Sequence, residues 1–135
     1  MKKSRLLNSE ISYEIAKIGH TDHITVCDAG LPIPNEVKRI DLAIEGGIPG
    51  FIAVLEPILS EMQVEEIILA QEIKEKNPEM LEKIMESFRK SGMDPKITWV
   101  SHEEFKKITN KSKAIVRTGE CSPYSNVILK SGVVF

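Results

Sequence analysis

Apolar positions along the chain recur with two different periods, and the alternation between those periods lays out the elements. Ile11, Ile15 and Ile18 fall at i, i+4 and i+7 behind the capping side chains of Asn8 and Ser9. This predicts a first helix that Gly19 closes at its C′ position. His20 then stands just past a helix end. His23-Ile24-Thr25-Val26-Cys27 is β-branched and alternating, so it predicts a strand that ends at Asp28-Ala29-Gly30. Leu31-Pro32-Ile33-Pro34 follows as a turn, because prolines at alternate positions neither donate ladder bonds nor continue a helix. Residues 39–44 fit a second strand or a short helix equally well, and Gly46-Gly47-Ile48-Pro49-Gly50 is a break.

Over 51–62, Val54, Leu55, Ile58, Leu59 and Met62 trace a helical face; residues 64–73 then carry the run Ile67-Ile68-Leu69-Ala70 of a buried strand. Asn77 caps a further helix with Pro78 at N1 and an apolar stripe of Leu81, Ile84, Met85 and Phe88; Gly92 ends it. Lys96-Ile97-Thr98-Trp99-Val100 is a strand, and Ser101-His102-Glu103-Glu104 is a capping-box pattern that opens a short helix ending near Asn110. Lys113-Ala114-Ile115-Val116-Arg117 and Asn126-Val127-Ile128-Leu129-Lys130 are the last strands, and the tail Val133-Val134-Phe135 is apolar. Strands alternating with helices predict an α/β fold.

Composition narrows this picture without redirecting it. A chain of 135 residues, 41% hydrophobic and 28% charged, suits one compact domain over 1–135. A net charge of −2 provides no field to draw in phosphate backbones or anionic lipid, so nucleic acid and membrane are not expected partners. The basic start Met1-Lys2-Lys3-Ser4-Arg5 runs directly into polar Asn8, Ser9 and Glu10 with no signal-peptide core, and no stretch approaches a membrane span. Cys27 and Cys121 then read as reduced thiols, and the expected compartment is cytoplasmic.

The densest titratable cluster holds His20 and His23 close to Asp22 and Asp28. Ligands of α/β sheets gather beyond the carboxyl ends of strands, where Asp28 and Gly30 fall and which His102 also follows. Tyr124, Ser125 and Asn126 lie between two late strands, with hydroxyls and an amide suited to a polyol. Plainer readings stand beside each of these. His20 past a helix C-terminus sits where the dipole favours its charged form. Asp22 suits a turn, and Asp28 suits acceptance of backbone N–H bonds at a strand end. His102 suits a solvated first-turn position, His23 the surface, and Tyr124 and Asn126 a turn and an edge. His20-x-x-His23 with Cys27 and Asp28 has the atom types for a metal but not the spacing, since these side chains alternate between faces. The glycine-rich stretch at 46–50 lacks the Lys-Ser/Thr of a P-loop, and Cys27 has no evident base beside it.

Three segments taken together, Ile18-Gly19-His20-Thr21-Asp22, Asp28-Ala29-Gly30-Leu31-Pro32-Ile33-Pro34 and Thr118-Gly119-Glu120-Cys121-Ser122-Pro123-Tyr124-Ser125-Asn126, resemble the ribose pyranase and fucose mutarotase family across nearly the whole chain. Leu31-Pro32-Ile33-Pro34 favours its ribose branch. The resemblance implies a three-layer α/β sandwich whose mixed sheet of about six strands is flanked by helices. It also implies a cofactor-free, metal-free isomerase that interconverts the pyranose and furanose forms of D-ribose, ahead of a kinase that takes the furanose. By residue-by-residue matching, His20 is the implied proton donor, and Asp28, His102, Tyr124, Ser125 and Asn126 hold the sugar. The implied assembly is a ring of five, commonly stacked as a homodecamer, with the site shared between neighbours. His23 and Cys27 depart from the small residues expected there.

The chemistry suits those residue types. Opening a hemiacetal needs a proton on the ring oxygen and loss of one from the anomeric hydroxyl, with no redox change and no strong nucleophile. An imidazole with an unperturbed pKa of about 6.5 can supply the proton near neutral pH. An anomer mutarotase acting on fucose, and a non-catalytic sugar-binding accessory protein, are the alternative readings.

Overall fold

The structure is a computed structural model that describes residues 1–135. Six strands form one mixed sheet: β1 (His23–Cys27), β2 (Lys38–Asp41), β3 (Val64–Ala70), β4 (Lys96–Val100), β5 (Ser112–Arg117) and β6 (Val127–Ser131), in the order β2-β5-β1-β6-β3-β4. The pairs β1–β5, β2–β5 and β3–β4 are parallel, while β6 runs antiparallel to both neighbours, β1 and β3. The helices are α1 (Ser9–Lys17), α2 (Phe51–Leu59), α3 (Ile73–Lys76), α4 (Pro78–Ser91) and α5 (His102–Ile108), the last running on into a 3₁₀ turn at Thr109–Lys111.

Alternation along the strands separates two cores. Ile24, Val26, Val116, Val127, Leu129 and Leu69 face one side and pack with Ile11 of α1, Leu55 and Ile58 of α2, and Ile84 and Phe88 of α4. Their neighbours Cys27, Ile115, Ile128 and Ile68 face the other side, against Phe105 of α5 and Leu31. Helices thus cover both faces, as a three-layer sandwich requires. Burying a side chain such as Phe105 or Ile115 contributes about 1.5–3 kcal/mol each. The second face is only partly covered. Away from α5 it carries polar pairs instead, with Thr25 Oγ1 2.7 Å from Ser112 Oγ, and Glu66 accepting from Thr98 Oγ1 at 2.6 Å and from Lys130 Nζ at 3.1 Å.

Capping follows the sequence at most ends. Asn8 accepts the Ile11 N–H, Asn77 the Met80 N–H and Ser101 the Glu104 N–H, and Gly92 closes α4 in the left-handed region at φ 74°. Gly19 behaves differently. The cap of α1 is Ile18, in extended conformation, and the left-handed residue is Thr21 at φ 69°, because the chain bends through a Gly19–Asp22 turn rather than a helical C-cap. The ambiguous segment 39–44 resolves as strand β2 ending at Asp41. The strand expected over 64–73 stops at Ala70; Ile73 turns back into the first core and forms the short α3. The face expected over 51–62 is helical only to Leu59, although Met62 still reaches the core.

Candidate active site

Strand directions decide what meets. The carboxyl ends of β1, β3, β4 and β5 lie along one edge of the sheet, and antiparallel β6 begins there. Asp28 follows β1, Thr118-Gly119-Glu120 follows β5, His102 follows β4, and Tyr124-Ser125-Asn126 leads into β6, so segments far apart in sequence converge. They surround a cavity of about 550 Å³ whose walls include Asp28, Leu31, His102, Glu120, Cys121 and Tyr124. Such a volume suits a small ligand.

Asp28 is fixed from three sides. The Gly30 N–H donates to its Oδ1 at 3.0 Å, Asn126 Nδ2 donates to its Oδ2 at 3.0 Å, and its own N–H donates to Asn126 Oδ1 at 3.0 Å. Burial pushes its carboxyl above the usual range, against the opposing pull of the Gly30 and Asn126 donors. A carboxylate short of solvent and already oriented is prepared to accept hydroxyl protons.

His102 opens α5, and its backbone N–H donates to both oxygens of Glu72 at 3.0 Å each. The carboxylate thereby satisfies an orphan donor and sits at the positive end of the helix. The imidazole packs edge-on to Tyr124, with ring centroids 5.1 Å apart at 90°, and its Nδ1 is buried without a partner. Tyr124 holds φ 57°, a conformation that a bulky residue adopts only when its surroundings impose it. Those surroundings are plain: Asn77, the cap of α4, donates to Pro123 O at 2.8 Å, and the Asn126 N–H donates to Tyr124 O at 2.9 Å.

Ser125 and Asn126 stand behind the cavity wall, both fully buried. Ser125 Oγ lies 2.9 Å from Ser122 Oγ and also donates to Ser122 O at 3.0 Å. Their side chains are engaged inside the protein and support the wall. Glu120, which sequence reasoning assigned no task, accepts the Phe51 N–H at 3.2 Å and the Ser122 N–H at 3.1 Å. Burial raises its pKa, but those donors outweigh it and hold the carboxyl below the usual range. Glu120 lay inside a matched motif, whereas nothing in the sequence pointed to Glu72.

His20 is elsewhere. It precedes β1, on the Gly19–Asp22 turn at the opposite edge of the sheet, and the length of β1 alone separates it from Asp28 by about 17 Å at roughly 3.3 Å per residue. Asp22 makes that turn by accepting the Gly19 N–H at 2.9 Å, and the Thr21 N–H donates to Ser131 O at 2.9 Å. The half-exposed His20 ring places Nε2 2.8 Å from Glu65 Oε2. It lines a second groove of about 480 Å³ together with Gly132 and the tail Val133-Val134-Phe135.

Two further expectations are settled by burial. His23 is half-buried rather than on the surface: its Nδ1 is buried and unpartnered, and burial, aided by Lys130, depresses its pKa. Cys27 is wholly buried, and burial pushes its thiol up to about 12, which leaves it protonated and unreactive. No three His, Cys, Asp or Glu side chains gather closely enough to hold a metal ion, and no helix is long and apolar enough to cross a membrane.

The sequence profile of the RbsD / FucU transport protein family matches residues 1–134. The chain is 64% identical to a D-ribose pyranase of Rhodopirellula baltica and 55% identical to one of Haemophilus influenzae, with full coverage of both partners in each case. The structure of Bacillus subtilis RbsD complexed with D-ribose superposes over the full length of both chains with a TM-score of 0.92 at 44% identity. A fucose mutarotase of Streptococcus pneumoniae in complex with L-fucose gives 0.84 at 27%, again over both full lengths.

Proposed function

The chain belongs to the RbsD / FucU transport protein family, and from that membership and the cavity at the Asp28 edge we propose that it interconverts the β-pyranose and β-furanose forms of D-ribose. The observation that carries this reading is the convergence of Asp28, His102 and Tyr124 on one small cavity, in a chain that matches ribose pyranases from end to end. The greater likeness to the ribose-bound relative than to the fucose mutarotase favours ribose over fucose.

His20 is the proposed proton donor. A single chain keeps it away from the cavity, so the proposed site is shared: His20 of one copy meets the Asp28 cavity of the next. That arrangement requires self-association, proposed as a ring of five stacked into a decamer. The free thiols of Cys27 and Cys121 suit a reducing cytoplasm.

In the proposed reaction, the His20 imidazolium gives its proton to the ring oxygen as the C1–O bond breaks, and the anomeric hydroxyl passes its proton to the Asp28 carboxylate. Closure through a different hydroxyl reverses both transfers, so atoms and charge balance without a co-reactant. Asp28 accepts sugar hydroxyls and steadies the cation, while His102 and Tyr124 select among hydroxyl positions. Ser125 and Asn126 hold these groups in place from behind. Acid–base catalysis of this kind supplies about 10²–10⁴-fold. NMR saturation transfer on ribose measures it directly. Exchange between ring forms is expected to accelerate with the wild type and fall to the spontaneous rate with His20→Ala, and a His20→Ala protein as fast as wild type would remove the assignment.

A further inference from the structure

Glu65 is the hydrogen-bond partner of the His20 ring within its own chain, and the surrounding backbone is arranged to put it there. Between Val64 and Glu66, β3 advances two residues while the paired strand β6 moves by one, from Ser131 to Lys130. Glu65 is therefore the extra residue of a β-bulge. Strict alternation from Ile67 and Leu69, which face the first core, would send Glu65 the same way. The bulge lets Val64 fill that core instead and leaves the Glu65 carboxylate at the sheet edge, 37% exposed. A bulge re-aims a side chain in this manner, and here it spares a carboxylate from burial among apolar groups.

The same end of β6 fixes His20. The Thr21 N–H donates to Ser131 O and the Ser131 N–H donates to Asp22 O, each at 2.9 Å, so the Gly19–Asp22 turn is bonded to the residue that pairs with Val64. Just beyond, Gly132 passes so close that a Cβ there would stand 3.1 Å from Glu65 Cβ, and the Gly132 N–H donates to Gln63 O at 3.0 Å. Lys130 Nζ lies 3.7 Å from Glu65 Oε1, the oxygen that His20 does not use. The segments that carry the carboxylate and the imidazole are thus both tied by main-chain bonds to residues 131 and 132, and the two groups meet at 2.8 Å.

We propose that Glu65 is the positioning residue for His20: it holds the Nε2–H, fixes the orientation and tautomer of the ring, and leaves Nδ1 as the atom that exchanges its proton with the sugar. The inference rests on the reading of His20 as proton donor. A carboxylate only accepts, so the ring nitrogen 2.8 Å from it carries hydrogen, and the hydrogen bond made by one ring nitrogen decides the state of the other. In ring opening the Nδ1–H bond breaks and the ring oxygen gains that proton as C1–O cleaves, while the anomeric hydroxyl proton passes to Asp28. The imidazole left behind is neutral, with its Nε2–H still on Glu65 and a bare Nδ1 that takes the proton back when the ring closes. An unheld imidazole on an exposed turn would present either nitrogen, so the pairing turns a mobile group into a directed one.

The test compares wild type with Glu65→Ala and Glu65→Gln, with the folding of each variant checked by urea unfolding. In saturation transfer over a range of ribose concentrations, Glu65→Ala is expected to lose about 10-fold in kcat with KM unchanged, a part of the roughly 10²-fold or more that the donor itself supplies. Glu65→Gln, whose amide oxygen still accepts the Nε2–H, is expected to stay within about 3-fold of wild type. The His20 tautomer is the readout that a purely structural role would not move. In nitrogen-15 spectra of histidine-labelled protein, the His20 signals are those lost in His20→Ala. The neutral ring is expected to be protonated at Nε2 alone in wild type and at either nitrogen in Glu65→Ala. A wild-type ring protonated at Nδ1 overturns the proposal without recourse to any Glu65 variant. So does a folded Glu65→Ala protein with wild-type kcat, or one whose loss lies in KM alone. The reading of His20 as donor fails separately. His20→Ala as fast as wild type removes the donor itself, whereas His20→Ala at the spontaneous rate beside Glu65→Ala at full kcat removes only the role of Glu65.

Discussion

Replacing Asn126 by alanine strikes the site from behind and has a calculable cost. The substitution removes the Nδ2–H bond to the Asp28 carboxylate, worth about 1.5–3 kcal/mol for a charged acceptor. It also leaves the Asp28 N–H without its acceptor, a desolvation penalty of about 1–3 kcal/mol. The adjoining cavity admits water that recovers part of both, so a loss of about 3 kcal/mol is expected. Urea denaturation followed through the single tryptophan, Trp99, measures it. The pH dependence has a definite sign as well. Asn126 favours the ionised form of Asp28, whose pKa burial already raises, so removing it raises that pKa further. The acidic limb of the exchange rate therefore moves to higher pH in Asn126→Ala. A stability loss under about 1 kcal/mol, or an acidic limb that stays in place or moves to lower pH, would refute this account of how Asp28 is held.

Two other substitutions separate positioning from contact. Glu72→Gln keeps one acceptor for the His102 N–H but loses the charge at the start of α5, and is expected to cost about 1 kcal/mol in urea unfolding and to raise KM with kcat nearly unchanged; an equal fall in kcat would mean that Glu72 acts on the transition state. Gly119→Ala would place a Cβ 2.6 Å from Glu45 O, against backbone that cannot easily move, so displacement of the 44–49 loop is expected to cost about 2–4 kcal/mol by thermal or urea unfolding. A Gly119→Ala protein as stable as wild type would show that the loop is not rigidly seated.

Much of the fold was legible because it rests on local rules. The strand at 23–27, the Asn77 cap with Pro78 behind it, the Ser101 cap and Gly92 all express short-range sterics and hydrogen bonding that a sequence states directly. Gly19 was misleading because Asp22 offered the turn a side-chain acceptor and moved the left-handed residue to Thr21. The end of β3 was illegible because Ile73 is as apolar as the strand before it, and only the direction of burial distinguishes them. Asp28, His102 and Tyr124 were readable as strand-end residues, but their meeting depends on strand order, and β6 lies between β1 and β3 for reasons of long-range packing. Glu72 left no trace, since its role is to satisfy a backbone N–H thirty residues away. The separation of His20 from Asp28 was legible in the strand predicted over 23–27, which spans the distance between them.

The central claim, a ribose ring isomerase whose proton donor comes from a neighbouring copy, is tested most directly by mixing two inactive variants. His20→Ala chains lack the donor and Asp28→Asn chains lack the acceptor, so each alone is expected to leave ribose exchange near its spontaneous rate. In an equal mixture that has dissociated and reassembled at random, a contact is intact when an Asp28→Asn chain offers His20 to a His20→Ala chain, which occurs at about one contact in four for a head-to-tail arrangement. Saturation transfer is then expected to recover about a quarter of wild-type exchange. Exchange that stays at the spontaneous rate after verified subunit mixing would contradict the shared site.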